Sequence, residues 1–122
     1  MNSLEIIKSI YADIEALPQH LHSDFKLHSP GKSLVAGEFA GLEGMIGHLT
    51  HMQTLSDNTM KLQASNFMAD EKWGIGVSRI TALRDDKQLD TVGFGLWRFA
   101  DGKLIDHWEF VSDQNAWDDF WS

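Results

Sequence analysis

A chain of 122 residues with 43% apolar content suffices for one hydrophobic core, and the absence of cysteine excludes disulfides, thiolate zinc sites, iron–sulfur clusters and a cysteine nucleophile. The formal net charge of −8 argues against a nucleic-acid backbone or an anionic membrane surface as partner. No apolar run approaches the roughly 20 residues of a membrane span, and the opening MNSLEIIKSIYADIEA carries acids inside an amphipathic pattern with no cleavage site, so a single cytoplasmic domain over residues 1–122 is expected.

Leu4, Ile7, Ile10, Tyr11, Ile14 and Leu17 follow helical spacing, and Pro18 marks the end of that helix. A turn over Gln19–Ser23 leads to a short strand at Phe25–His28, followed by a turn at Ser29–Lys32 and a second short strand at Val35–Phe39. A second helix spans Gly41–Leu55, with Leu42, Met45, Ile46, Leu49 and Met52 on one stripe. The period then becomes two. Strands are expected from Met60, at Trp73–Leu83, at Leu89–Phe99 and at Leu104–Val111, joined by the hairpins Arg84–Lys87 and Ala100-Asp101-Gly102. A final helical segment covers Asp113–Ser122, capped by Ser112 or Asp113. Helices and strands that segregate in this way indicate an α+β fold with an antiparallel meander.

Parity divides the last two strands. Val92, Phe94, Leu96 and Arg98 share one face, while Thr91, Gly93, Gly95, Trp97 and Phe99 share the other. Glycines inside a strand mark a bend or a close approach, so Gly93 and Gly95 beside Trp97 predict a hollow on their side; relief of curvature alone is the other reading. His107 and Glu109 point one way, Trp108 and Phe110 the other. Such a His and Glu face solvent, line a polar pocket, or pair with each other, because neither is buried without a partner at low cost. His48 lies at the edge of the second helix's apolar stripe and His51 beyond it, and no third ligand at a suitable spacing joins them or His20 and His22, so no metal site is expected. No G-x-G-x-x-G, P-loop or G-x-S-x-G motif is present, and no cofactor is expected.

The succession of a helix, F-x-L-H-S-P-G, a second helix after A-G-L-E-G, and a meander ending G-K-L-I-D-H-W-E-F-V-S-D resembles the nuclear-transport-factor-like superfamily, within it the SnoaL-like and ketosteroid-isomerase-like proteins. The resemblance runs over the whole chain. It implies a cone-shaped curved antiparallel sheet wrapped around helices, an apolar pocket in the cone and a homodimer through the outer sheet face. Ketosteroid isomerases carry an oxyanion-donating tyrosine on the first helix, where Tyr11 falls. Their general-base aspartate is replaced by Ser29, beside His28, and their second oxyanion donor by Gly95, so steroid isomerisation by that machinery is not expected. The acidic residue that works inside the pocket of related epoxide hydrolases is matched by Glu109, with His107 two residues before it.

The expected constellation is therefore Glu109, His107 and Tyr11 as catalytic groups, with His28 across the cone mouth and Trp97, Gly93, Gly95 and His48 lining a site for a small hydrophobic or carbonyl-containing molecule. The function expected is cofactor-independent acid–base chemistry of the isomerase, cyclase or hydrolase type. The alternatives are a non-catalytic small-molecule-binding or accessory protein of the same fold, a buried structural His–Glu pair, and a protein-interaction module.

Overall fold

A computed structural model describes all 122 residues. The first apolar stripe forms α1 (Ser3–Ala12), opened by a capping box: Asn2 Oδ1 accepts from the Glu5 N–H at 2.9 Å, and Glu5 Oε1 accepts from the Asn2 N–H at 3.2 Å. The helix stops at Ala12, short of the expected Leu17. Asp13 is extended there, and its carboxylate accepts the Glu15 N–H to start a separate 3₁₀ turn at Ile14–Ala16. Pro18 opens another at Pro18–His20.

The strands are β1 (Leu21–Ser29), β2 (Gly37–Ala40), β3 (Lys61–Ala69), β4 (Trp73–Arg84), β5 (Lys87–Ala100) and β6 (Lys103–Val111). They form one curved sheet in the order β2-β1-β6-β5-β4-β3. The expected meander is β3 to β6. The sheet is mixed rather than wholly antiparallel, because β1 pairs parallel with β6, Leu27 against His107. These two strands are far apart in sequence, so the intervening chain supplies the long connection that a parallel pair requires. The Asp101–Gly102 hairpin has positive φ at both residues (53° and 73°), the geometry that makes Asp-Gly a tight turn.

Helices α1, α2 (Gly41–Leu55) and α3 (Gln114–Phe120, capped by the Asp113 carboxylate on the Ala116 N–H) cover the concave face. Two apolar clusters form beneath them. One gathers Ile7, Ile10, Phe25, Leu27 and Trp97, and the other Met52, Ile80, Trp117, Phe120 and Trp121. In α2 the buried stripe is rotated from the expected one. Ile46 is 53% exposed, whereas His48 is buried at 1%. A carboxylate on β6 meets the imidazole and makes its burial tolerable.

The C-terminal segment seals the second cluster, and Trp121 is fully buried there with its carbonyl accepting the Leu34 N–H. Trp121→Ala is expected to cost about 3–5 kcal/mol through the cavity it leaves, read as a lower urea midpoint of unfolding.

Candidate functional site

Between the two clusters the sheet has no side chains at two facing positions. Gly76 on β4 and Gly95 on β5 are direct partners in the ladder. A Cβ on Gly76 would lie 2.5 Å from the Tyr11 ring, and one on Gly95 would fall on the Tyr11 hydroxyl and 2.7 Å from His107 Cε1. The glycine pair thus lets Tyr11, from the last turn of α1, lie directly against the backbone of the sheet. Trp97 Nε1 donates to Tyr11 Oη at 3.1 Å. An indole N–H only donates, so the tyrosine oxygen is the acceptor and its own proton is free for another partner. Burial pushes the Tyr11 pKa up to about 12; the Trp97 hydrogen bond opposes the rise and the Glu109 charge adds to it.

On β6, His107 faces Trp97 and Glu109 faces Gly95 in the register. The imidazole stacks on the Trp97 indole with centroids 3.6 Å apart, and its Nδ1 donates to the Leu96 carbonyl at 3.1 Å. Burial lowers the His107 pKa to about 4, against the opposing pull of the Glu109 charge and the Leu96 carbonyl. At neutral pH the ring is neutral, with its Nε2 an acceptor. Glu109 Oε1 lies 2.6 Å from His48 Nε2, a pairing that reaches from β6 to α2. His48 Nδ1 is buried with no partner.

Tyr11, His107 and Glu109 open onto one cavity of about 300 Å³ whose other walls include Met45, Leu49 and Trp97. Exposed Ile14 and Leu62 stand at its rim. A narrower extension of about 70 Å³ shares the same three polar groups and runs past Gly93 to Trp117. A wider surface groove of about 510 Å³ beside Arg79 and Asp90 has an exposed ion pair in its wall in place of convergent buried polar groups.

Of the residues singled out in the sequence, Tyr11, His107, Glu109, Trp97, Gly93 and Gly95 meet around this space. His48 lies behind Glu109 and contacts its carboxylate. His28 is not across the mouth of the cone. It lies on the opposite face of the sheet, stacked on Trp108, with Nε2 2.8 Å from Asp106 and Nδ1 3.2 Å from Glu38. The strand's own alternation explains this placement: Phe25 and Leu27 point inward at 1% and 0% exposure, so His28 must point out. Arg98, outward as its parity requires, joins His28 on Asp106; burial alone would raise that carboxyl, but the two donors hold it below the usual carboxylate range. Two residues of the site went unnoticed in the sequence, Gly76 and Gln53. The repeat of G-x-G in Gly74-Ile75-Gly76 and Gly93-Phe94-Gly95 was the available signal for the first. Nothing in the pattern marked the second.

Comparison with known proteins identifies the family. The model of the SnoaL-like domain family matches residues 11–107. The chain belongs to the SnoaL-like domain family. An uncharacterized protein of Mycobacterium tuberculosis is 27% identical over 98% of this chain and 95% of its own length. Among solved structures, Bal32a from a soil-derived mobile gene cassette superposes with a TM-score of 0.87 at 28% identity, over 97% of this chain and 95% of that one. A cystatin-like-fold protein of unknown function from Xanthomonas campestris superposes with a TM-score of 0.86 at 26% identity, over 100% and 99%. This SnoaL-like chain has no helix long and apolar enough to cross a membrane.

The burial of a neutral His107 has a pH signature. Its ordinary pKa of 6.5 applies to the unfolded chain and about 4 to the folded one, so between these values the unfolded state binds the extra proton. Stability is therefore full above pH 6.5 and declines as pH falls toward 4. Urea midpoints followed from pH 7 to 4 should decline more steeply for the wild type than for His107→Gln; parallel declines would show that the ring is not held neutral.

Proposed function

We propose that this protein is a cofactor-independent acid–base enzyme that moves a proton next to a carbonyl group of a small hydrophobic molecule held in the cavity. The observation that carries the reading is the free proton of Tyr11. Its oxygen is already engaged by Trp97 Nε1, so the O–H is preset to donate to an oxygen that gains charge during reaction. An oxyanion donor of this type is worth roughly 10²–10³ in rate. Glu109 has one oxygen engaged by His48 and one left for the proton. His107, whose Nδ1 is held by the Leu96 carbonyl, positions the substrate through Nε2. In a β,γ-unsaturated ketone, abstraction by Glu109 at the carbon beside the carbonyl yields a dienolate, Tyr11 donates to its oxygen, and return of the proton from Glu109 to the γ carbon completes an isomerisation. Attack of an enolate carbon on a second carbonyl of the same molecule instead closes a ring: the C–C bond forms as the C=O π bond breaks, and the new alkoxide takes the proton back from Glu109.

A second reading, binding without turnover, is favoured by one specific observation, the 2.6 Å contact that commits half of the Glu109 carboxylate to His48. The two separate in one experiment. Incubation in deuterium oxide with a panel of alicyclic and aromatic ketones and β-diketones should give enzyme-dependent deuterium uptake beside the carbonyl, visible by NMR. Glu109→Gln should reduce it by about 10²–10⁴ while leaving the fold intact. Ligand binding with no exchange in the wild type would establish the second reading.

We also infer that two copies associate through the convex face. Val92 and Phe94 are exposed there, with Leu96, Trp108 and Phe110 half-buried beside them, and the helices pack on the other side. Contiguous apolar surface of this kind is rare on monomers, and a sheet face suits a twofold, self-complementary contact. Sedimentation at micromolar concentration should give a dimer that Phe94→Lys converts to monomer; a wild-type monomer would overturn the assignment.

A further inference from the structure

The polar groups around the cavity define what a ligand must bring. Glu109 is the single charged side chain in the walls of the cavity and its extension, and no lysine or arginine lines either. His48 spends its Nε2 on Glu109, and its Nδ1 is buried and faces no acceptor, so neither ring nitrogen is offered to a ligand. The acceptors are set in place. His107 Nδ1 is occupied by the Leu96 carbonyl, so its Nε2 presents a lone pair that no protein donor reaches. Glu109 offers its second oxygen. Against them stands the Tyr11 hydroxyl, whose oxygen is taken by Trp97 and which therefore donates. Ser78 in the extension and Gln53 at the cavity are uncharged, and the Gln53 amide is oriented by its bond to the Met60 carbonyl at 3.2 Å.

We propose that the cavity takes an uncharged hydrophobic carbonyl compound that carries its own hydroxyl or N–H donor, and that it discriminates against the matching carboxylate. The carbonyl oxygen meets Tyr11 and the ligand's donor meets His107 Nε2, which leaves the free oxygen of Glu109 for the proton beside the carbonyl. A ligand carboxylate would enter an apolar cavity beside a like charge with no cation to pair with, and a ligand without a donor would leave the buried His107 acceptor unsatisfied. The proposal rests on the reading of Tyr11 as the donor to a substrate carbonyl, and it adds the ligand's charge and its required donor.

Three probes of similar size test it on the intact wild-type protein at neutral pH: 4-(hydroxymethyl)acetophenone, acetophenone and 4-acetylbenzoate. Binding is followed by NMR through the Trp97 indole N–H, which reports on the Tyr11 contact and is assigned from the spectrum of Trp97→Phe. The alcohol should bind several-fold tighter than acetophenone and about ten-fold or more tighter than the carboxylate. The proposal is overturned if the carboxylate binds as well as the alcohol, if acetophenone matches the alcohol, or if none of the three gives a saturable shift. Failure of deuterium exchange with this order intact counts against turnover alone. Exchange with the order reversed overturns this proposal and leaves the reading of Tyr11 and Glu109 as the reacting groups in place.

Discussion

The indole of Trp97 ties the site together. Its face stacks on His107 at 3.6 Å, its other neighbour Phe25 lies 6.4 Å away, and its N–H fixes the Tyr11 hydroxyl from a different element of the fold. Tyr11 reaches that N–H only because the strands beneath it are bare: Gly76 and Gly95 face each other in the ladder, and a Cβ on either would overlap the tyrosine. Those glycines weaken two strands by removing side-chain contacts and adding unfolded-state freedom. In return the phenol ring of Tyr11 approaches the backbone of the sheet and fills the space that two Cβ atoms would take. The geometry of the site is thus a consequence of these two small residues.

Around that contact the protein separates two kinds of polar chemistry by strand parity. Inside, each group has one partner and one free valence: Tyr11 its proton, His107 its Nε2 lone pair, Glu109 its second oxygen. Outside, Asp106 is bridged by His28 and Arg98, and Glu38 closes the other side of His28. The outer groups saturate one another at a partly solvated surface, where such pairs contribute modestly to stability. The inner groups are left incomplete in an apolar enclosure, where an unmet hydrogen bond is costly and a ligand that meets it gains accordingly. Adjacent residues on one strand, Asp106 and His107, therefore belong to different environments.

Much of this division was legible in the residues. The alternation through Thr91–Phe99 and Leu104–Val111 placed Gly93, Gly95, Trp97, His107 and Glu109 on one face and Val92, Phe94, Trp108 and Arg98 on the other, and the burial follows it. The same rule applied to Phe25–His28 sends His28 outward, where it stacks on Trp108, and not across the mouth of the cone. Helix α2 shows the reverse case. Its hydrophobic stripe pointed to Ile46, yet the polar His48 is the buried residue, because only the folded chain brings Glu109 within 2.6 Å.

Local sequence determined the helical and strand periods, the Asp-Gly turn, the glycine-marked hollow and the face to which each residue of β5 and β6 belongs, because side-chain direction alternates with the backbone whatever the strand packs against. Tertiary structure decided the parallel pairing of β1 with β6, the meeting of His48 with Glu109 and the seating of Tyr11 against Gly76 and Gly95. Each of these joins residues distant in the chain. Such contacts exist only once the sheet has curved around its helices, and no spacing within a single segment encodes them.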